Sequence, residues 1–444
     1  MIAPPFGSWR HLLFIVLIGA VHAAYLLSAR FGFLDRLAND TWQFSFAHHD
    51  PGVDFFVLYE AGWDFLHNRN MYLHHENTAY PPEIPFVERY ERSLKEGLTR
   101  APWYATFRYI PFYAATLGVV LNLLPPWGAY WFWVALNEAL LWVNCILTLR
   151  RCRSPDRRLL AVALWFLPYP LCVEFFLGQF NILMASFIFW TALAWERGSR
   201  RGHTWWLLSV LLKNWTYGMG VLLIRRGRWR LPLLAAVIVL ITSLPYFLIF
   251  PSGWAAFWGA GLSGRVGAGA GAWHWGLWGM QGVQAGVGAL LETLGVRSIA
   301  LPGGWTLGNG ATFLVSAAAV GAAVWRSWRD SDWLRPFCLW VLLWFVLYRD
   351  CWEHHYILML PVMAVCLIQN LCTVKTLIIV FLLTQTVTMY ALLFPPDSAA
   401  ALMRQGLYDL LRFAHYTIKP LGVGILFWVL CRPGAGTGAT GARG

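Results

Sequence analysis

WWLLSVLLKNWTYGMGVLLIRRGRWR, residues Trp205–Arg230, is the hardest part of this chain to place in a membrane, and the rest follows from it. Trp205–Ile224 is apolar and near the roughly 20 residues that a helix needs to cross a bilayer, but Lys213 interrupts it. Basic loops flank it on both sides, Arg197–His203 before and Arg225–Arg230 after. Cytoplasmic loops collect Lys and Arg, so both flanks favour one face. A segment that enters and leaves by one face must break midway. Irregular backbone at membrane depth is tolerated only where protein or a cavity surrounds it. The break is expected around Lys213-Asn214.

The same logic extends outward. A third basic loop, Arg150–Arg158, precedes an apolar hairpin, Leu159–Trp195, that turns at Gly178-Gln179-Phe180-Asn181. With all three basic loops inside, that turn lies outside, and Tyr109–Leu149, broken by Pro125-Pro126, must contain a partial span. A count using uniform spans would instead place the first two basic loops outside and make Tyr109–Leu149 an ordinary hairpin. Leu12–Leu27 reads as an uncleaved first helix, because no small-x-small cleavage site follows it. Between it and Tyr109 lies the most polar part of the chain, residues 30–108, read as the first extracytoplasmic loop and expected to fold against the membrane as short surface helices. Leu231–Phe250 runs outward into a second large extracytoplasmic loop, 251–305. One helix then returns to Arg326–Arg335, another emerges at Arg349–His355, and Tyr356–Leu371, Thr376–Phe394 and a last helix ending at Cys431 complete the count. The expected architecture is all-α: a single polytopic membrane domain over residues 1–431, with about 10–13 transmembrane or re-entrant helices, and a disordered cytoplasmic tail, 432–444. No internal repeat is visible.

Composition agrees. Of 444 residues, 58% are hydrophobic and 13% charged, with mean hydropathy +0.51, against about 45–50% and about 25% in soluble domains. A soluble enzyme, a disordered chain and a disulfide-stapled secreted domain are excluded. The 28 Trp, many beside apolar runs, suit bilayer interfaces. The net charge of +12 reads as topology rather than as a nucleic-acid surface. The 8 Cys are scattered without a CxxC pair, so neither a disulfide framework nor a zinc site is expected.

Polar residues at the outer face carry the chemistry. Asp54 opens an amphipathic segment; it suits a general base, which needs hydrogen-bond reach to an acceptor hydroxyl, or a helix N-cap. His354 and His355 open a helix at the outer boundary, where backbone N–H groups and the helix dipole favour an anion; ordinary interfacial polarity is the alternative. Lys213 in an apolar run demands a partner or a cavity: an anionic phosphate, or Glu174 or a carbonyl. Glu174, near Gly178-Gln179, can line the same cavity. Asp330-Ser331-Asp332 has a metal-binding DxD pattern but lies in a basic loop. His74-His75-Glu76 lacks further ligands at metal spacing.

Several blocks together resemble the polyprenyl-phosphate-mannose-dependent mannosyltransferases of the GT-C superfamily, in the branch long described as a domain of unknown function. They are Asp54-Phe55 with Tyr59 and Ala61-Gly62; Phe107-Arg108-Tyr109-Ile110-Pro111; Gly178-Gln179-Phe180-Asn181; Lys213 ahead of Arg225–Arg230; and Trp352-Glu353-His354-His355 before Leu360-Pro361. Two departures stand out. Asn214 replaces the Pro that usually follows the Lys, and the family's Tyr-Pro-Pro is split between Tyr109-Ile110-Pro111 and Ala79-Tyr80-Pro81-Pro82.

The resemblance implies a GT-C-type fold with its active site at the extracytoplasmic surface. There a carboxylate deprotonates an acceptor hydroxyl, which attacks the anomeric carbon of a polyprenyl-phosphate-linked sugar with inversion. By position Asp54 is the base, and Lys213 with His354 or His355 holds the leaving phosphate. Gln179 and Asn181 line the sugar or support the loop, and Tyr59, Arg108 and Glu174 complete the expected substrate-binding set. No cofactor or metal is expected, since cationic side chains can neutralise the phosphate. The expected partners are the polyprenyl-phosphate-linked sugar donor, a lipid or glycan acceptor and the lipid bilayer, with no nucleic acid. A transporter or flippase of lipid-linked glycans would keep the cationic groove and need no base. A non-catalytic scaffold would need neither.

Overall fold

The computed structural model describes residues 9–31, 52–72, 107, 109–213, 216–263, 300–301, 305–348, 351, 353–386 and 407–432. These form an all-α polytopic membrane protein. The helices run α1 (Trp9–Phe31), α2 (Val53–Leu66), α3 (Pro111–Leu121), α4 (Pro126–Leu149), α5 (Pro155–Phe166), α6 (Pro170–Leu177), α7 (Asn181–Glu196) and α8 (Arg201–Lys213). There follow α9 (Gly220–Arg225), α10 (Arg230–Ile249), α11 (Pro251–Ser263), α12 (Leu307–Arg329), α13 (Leu334–Leu347), α14 (Met359–Gln369), α15 (Val374–Gln385) and α16 (Leu407–Cys431). A 3-10 turn, Glu353–Leu358, leads into α14, and Ala300–Leu301 pairs antiparallel with Trp305–Thr306.

By length and apolarity α4, the α5–α6 pair and α10 are able to cross a membrane. Their outward faces carry large apolar side chains, among them Phe132, Trp142, Leu240, Ile241 and Leu248, each at least half exposed. An apolar surface of that extent suits lipid, not water. The α5–α6 break follows from Pro168 and Pro170, which cannot continue a hydrogen-bond ladder. The freed carbonyls are met by α1: His22 Nδ1 lies 3.1 Å from Phe166 O, and Tyr25 Oη donates to Leu167 O at 3.1 Å. The other His22 nitrogen, Nε2, lies 2.8 Å from a Glu138 carboxylate oxygen. This accounts for Glu138 in the apolar run of α4.

The basic loops gather at one end. Arg151 is within electrostatic reach of Arg197 and Glu196. Burial, with Arg228 and Arg200 nearby, holds the His203 imidazole below its ordinary value. Arg226 lies 4.0 Å from the Trp333 ring, which stacks on Trp195 at 4.2 Å. Arg225 donates to Asp330 O at 2.6 Å, and Arg157 to Leu367 O at 2.8 Å. The Asp330-Ser331-Asp332 pattern is structural here: Asp330 pairs with Arg326 at 2.8 Å, and Asp332 accepts from Leu334 N at 3.0 Å.

The segment Trp205–Ile224 turns back on itself. Helix α8 ends at Lys213, and Trp206 Nε1 donates to Thr216 O at 3.0 Å while Ser209 and Thr216 share a 2.5 Å hydroxyl contact. Residue 216 therefore lies beside the middle of α8, and α9 returns to the basic end. Helix α3 has 11 residues; at 1.5 Å per residue it is roughly 16 Å long, short of the roughly 20 residues that a full span needs.

Two expectations need correction. Helix α2, in the first polar segment, is not a surface helix, because Phe55, Phe56, Leu58, Tyr59 and Ala61 are buried in the core. Gly62 and Gly118 let its backbone meet the π-helical turn Ala114–Gly118 of α3 directly. The segment read as the second large loop begins with a helix, α11, that closes on the α2 end through Asn70 Nδ2 and Ser252 Oγ at 3.2 Å. Residues 73–106, 264–299 and the tail 433–444 lie outside the described residues.

Candidate active site

Opposite the basic end, the start of α2 meets the turn between α6 and α7. Gly52 caps α2 with φ 86° and donates its N–H to Phe176 O at 2.7 Å. Gly178 ends α6 with φ 67°, and a Cβ there would sit 2.5 Å from Phe55 Cβ. Both positions demand a left-handed residue, and Gly adopts that conformation without a Cβ clash. The close approach brings Asp54 against Gln179, whose backbone carbonyl accepts from Trp133 Nε1 at 3.0 Å. The N-cap reading of Asp54 is thereby replaced: the cap is Gly52, and Asp54 is the second residue of the helix.

Gln179 Nε2 donates to Asp54 Oδ2 at 2.7 Å, and Gln179 Oε1 accepts from Lys213 Nζ at 3.3 Å. One amide thus separates the carboxylate from the ammonium and is oriented by both. Lys213 Nζ also donates to Asn181 Oδ1 at 3.0 Å, and the Tyr109 ring stands 5.4 Å away, in cation–π range. Asn181 is fixed in turn by Glu174, which accepts from Asn181 N at 2.5 Å, Asn181 Nδ2 at 2.8 Å and Ile182 N at 3.1 Å. Glu174 therefore closes the N-terminus of α7, where a carboxylate is favoured by free N–H groups and the helix dipole. The sequence offered Lys213 an anionic phosphate as its partner or, within the protein, Glu174 or a carbonyl. Within the protein it bonds the oxygens of two side-chain amides, and Glu174 acts one link away.

The His pair completes this end. His354 and His355 lie in the 3-10 turn, both buried, with ring centroids 4.3 Å apart. The charge of Lys213 reaches both, and the opposite charges of Glu174 and Asp54 reach Lys213. Trp344 of α13 and Tyr348, just past its end, flank His355 at 5.3 Å and 5.6 Å.

Among the sequence-derived candidates, Asp54, Gln179, Asn181, Glu174 and Lys213 form one hydrogen-bonded chain, and His354 and His355 adjoin it. The Tyr59 hydroxyl is directed elsewhere, donating to Leu124 O at 2.9 Å. Arg108 lies outside the described residues. Two features escaped the sequence reading, the Gly52–Gly178 contact and the aromatic wall of Tyr109, Tyr113 and Phe180, whose neighbouring rings stand 5.0 Å and 5.2 Å apart. Tyr109 was legible only as part of the Phe107–Pro111 block. Among the described residues, no group of three or more His, Cys, Asp or Glu side chains is placed to hold a metal ion.

The family model of glycosyltransferase family 87 matches residues 107–348, over half the chain. The chain belongs to glycosyltransferase family 87. Comparison with curated proteins and with solved structures gives no match. Within this family 87 member, the matched span contains Glu174, Gln179, Asn181 and Lys213, while Asp54 and the His pair lie on either side of it. As a glycosyltransferase, the protein must bring a sugar donor and an acceptor together. The chain of hydrogen bonds from Asp54 to Lys213 offers a proton acceptor and a cation within one site.

Proposed function

We propose that this glycosyltransferase moves a hexose, most simply mannose, from a polyprenyl-phosphate donor to a hydroxyl of a lipid or glycan acceptor at the extracytoplasmic membrane face, with inversion at the anomeric carbon. What carries this reading is the Asp54–Gln179–Lys213 chain at the end of the bundle remote from the basic loops. Asp54 accepts the acceptor's hydroxyl proton as its oxygen attacks the anomeric carbon. The bond from that carbon to the phosphate oxygen breaks, and polyprenyl phosphate leaves with the electron pair. Lys213, with His354 and His355, faces the charge that develops on the leaving phosphate. Electrostatic groups set in place beforehand act most strongly there, because the site excludes water. Gln179 keeps the carboxylate from being spent in an ion pair with Lys213. An isoprenoid donor stays in lipid while its phosphosugar reaches headgroup depth, which suits a site at one end of a membrane bundle.

The test is sugar transfer by the purified protein in lipid, given polyprenyl-phosphate mannose and a panel of lipid and glycan acceptors, beside Asp54→Asn. The substitution preserves shape but not basicity, so transfer should fall by about 10²–10⁴-fold with an unchanged melting temperature. Equal transfer by both proteins would remove Asp54 from the mechanism.

A further inference from the structure

The segment that carries the His pair is held by a residue far along the chain, outside the family match. Lys419 of α16 is fully buried, and its Nζ donates to Glu353 Oε1 at 2.6 Å, Thr384 O at 2.8 Å and Thr386 O at 3.3 Å. It also stands 5.1 Å from the Tyr356 ring. Glu353 immediately precedes His354, and Tyr356 immediately follows His355. One ammonium therefore grips the pair from both sides.

The local chemistry explains why such a grip is needed. A 3-10 turn has poorer hydrogen-bond geometry than an α-helix and derives little rigidity from its own backbone. Thr384 O and Thr386 O lie at the C-terminal end of α15, where helix carbonyls lack partners within the helix. Lys419 supplies those partners and ties the helix end to the turn. Gln385 adds a second tie, its Nε2 donating to Tyr356 O at 3.1 Å while its backbone carbonyl accepts from Tyr169 N at 2.8 Å. The turn is thus anchored to α15, α16 and the start of α6, the helix that ends at Gly178.

We infer that Glu353 and Lys419 are positioning residues: their buried pair sets the placement of His354 and His355 toward the donor's phosphate. This rests on the donor reading above. It predicts a split that a purely structural role would not produce, since loosening the His pair weakens the donor's hold and leaves the acceptor untouched.

Replacing both partners together, Glu353→Leu with Lys419→Met, avoids leaving one charge buried alone, which is what makes single substitutions so damaging. In the full-length protein in lipid, the double variant is expected to melt within a few degrees of wild type. Its KM for polyprenyl-phosphate mannose should rise by about tenfold and its dissociation constant for polyprenyl phosphate in parallel, with acceptor KM unchanged. Glu353→Gln, which keeps an acceptor oxygen for Lys419, covers the case in which the double variant does not fold, and should raise donor KM several-fold. Wild-type donor KM in whichever variant folds, or equal rises in donor and acceptor KM, would overturn the positioning role while leaving the donor reading intact. A wild-type protein that neither transfers from nor binds these polyprenyl probes would overturn both.

Discussion

Lys213 was visible in the sequence because a cation in an apolar run has no cheap resting place. Its actual partners were not visible, because Gln179 and Asn181 reach it only after α6, α7 and α8 have packed. Asp54 and Gln179 were legible as polar residues on outer turns. The contact that joins them depends on Gly52 and Gly178, whose roles come from backbone angles that composition does not reveal. A comparison among glycines isolates that contact. Gly178 and Gly198 have nearly the same φ, 67° and 65°, but nothing stands within 4 Å of a Cβ at Gly198. Gly198→Ala should cost about 1 kcal/mol for the left-handed backbone alone. Gly178→Ala adds a collision with Phe55, for about 2–4 kcal/mol in all, and should abolish transfer by displacing Asp54. Unfolding of both variants in one detergent checks the difference; equal losses would mean that the Gly52–Gly178 contact does not set the site.

At the scale of elements, the turn-back of α8 into α9 follows from the basic charge on both its flanks. The burial of α2 does not. Its sequence, VDFFVLYEAGWDFL, is apolar but for Asp54, Glu60 and Asp64, and the place it takes arises from Gly62 meeting the π-helical turn of α3, a match between two distant segments. The same change, Gly to Ala, should have opposite signs in two helices. A Cβ on Gly62 would run into the Gly118 backbone, whereas one on Gly321 of α12 meets nothing within 4 Å. Gly321→Ala should stabilise by up to about 1 kcal/mol through helix propensity. Gly62→Ala should destabilise by about 1–3 kcal/mol through overpacking and lower transfer by tilting the helix that bears Asp54. Melting curves of the two variants decide the signs.

For the whole molecule, the arginine-rich loops share one end and the Asp54–Lys213 chain occupies the other, a polarity that positive-inside charge bias foretells. Arg200 and Arg228, both exposed, bracket the α8–α9 pair. Single cysteines at Arg200→Cys and Arg228→Cys should both resist a membrane-impermeant thiol reagent in sealed cells and react after permeabilisation. Leu123→Cys, 81% exposed near the other end, should react without it. Opposite behaviour of Arg200→Cys and Arg228→Cys would make the segment a true span. The buried Glu353–Lys419 pair also bears on how the protein is made. Synthesis runs from the N-terminus, so the carboxylate beside the histidines is laid down before α16 exists, and its counter-charge arrives 66 residues later. Until that helix inserts, Glu353 lacks the ammonium that neutralises it in the folded protein. Assembly of this end of the bundle thus waits for α16, and a chain that stops before Lys419 keeps the family's matched span but lacks the tie to the turn that bears the histidines.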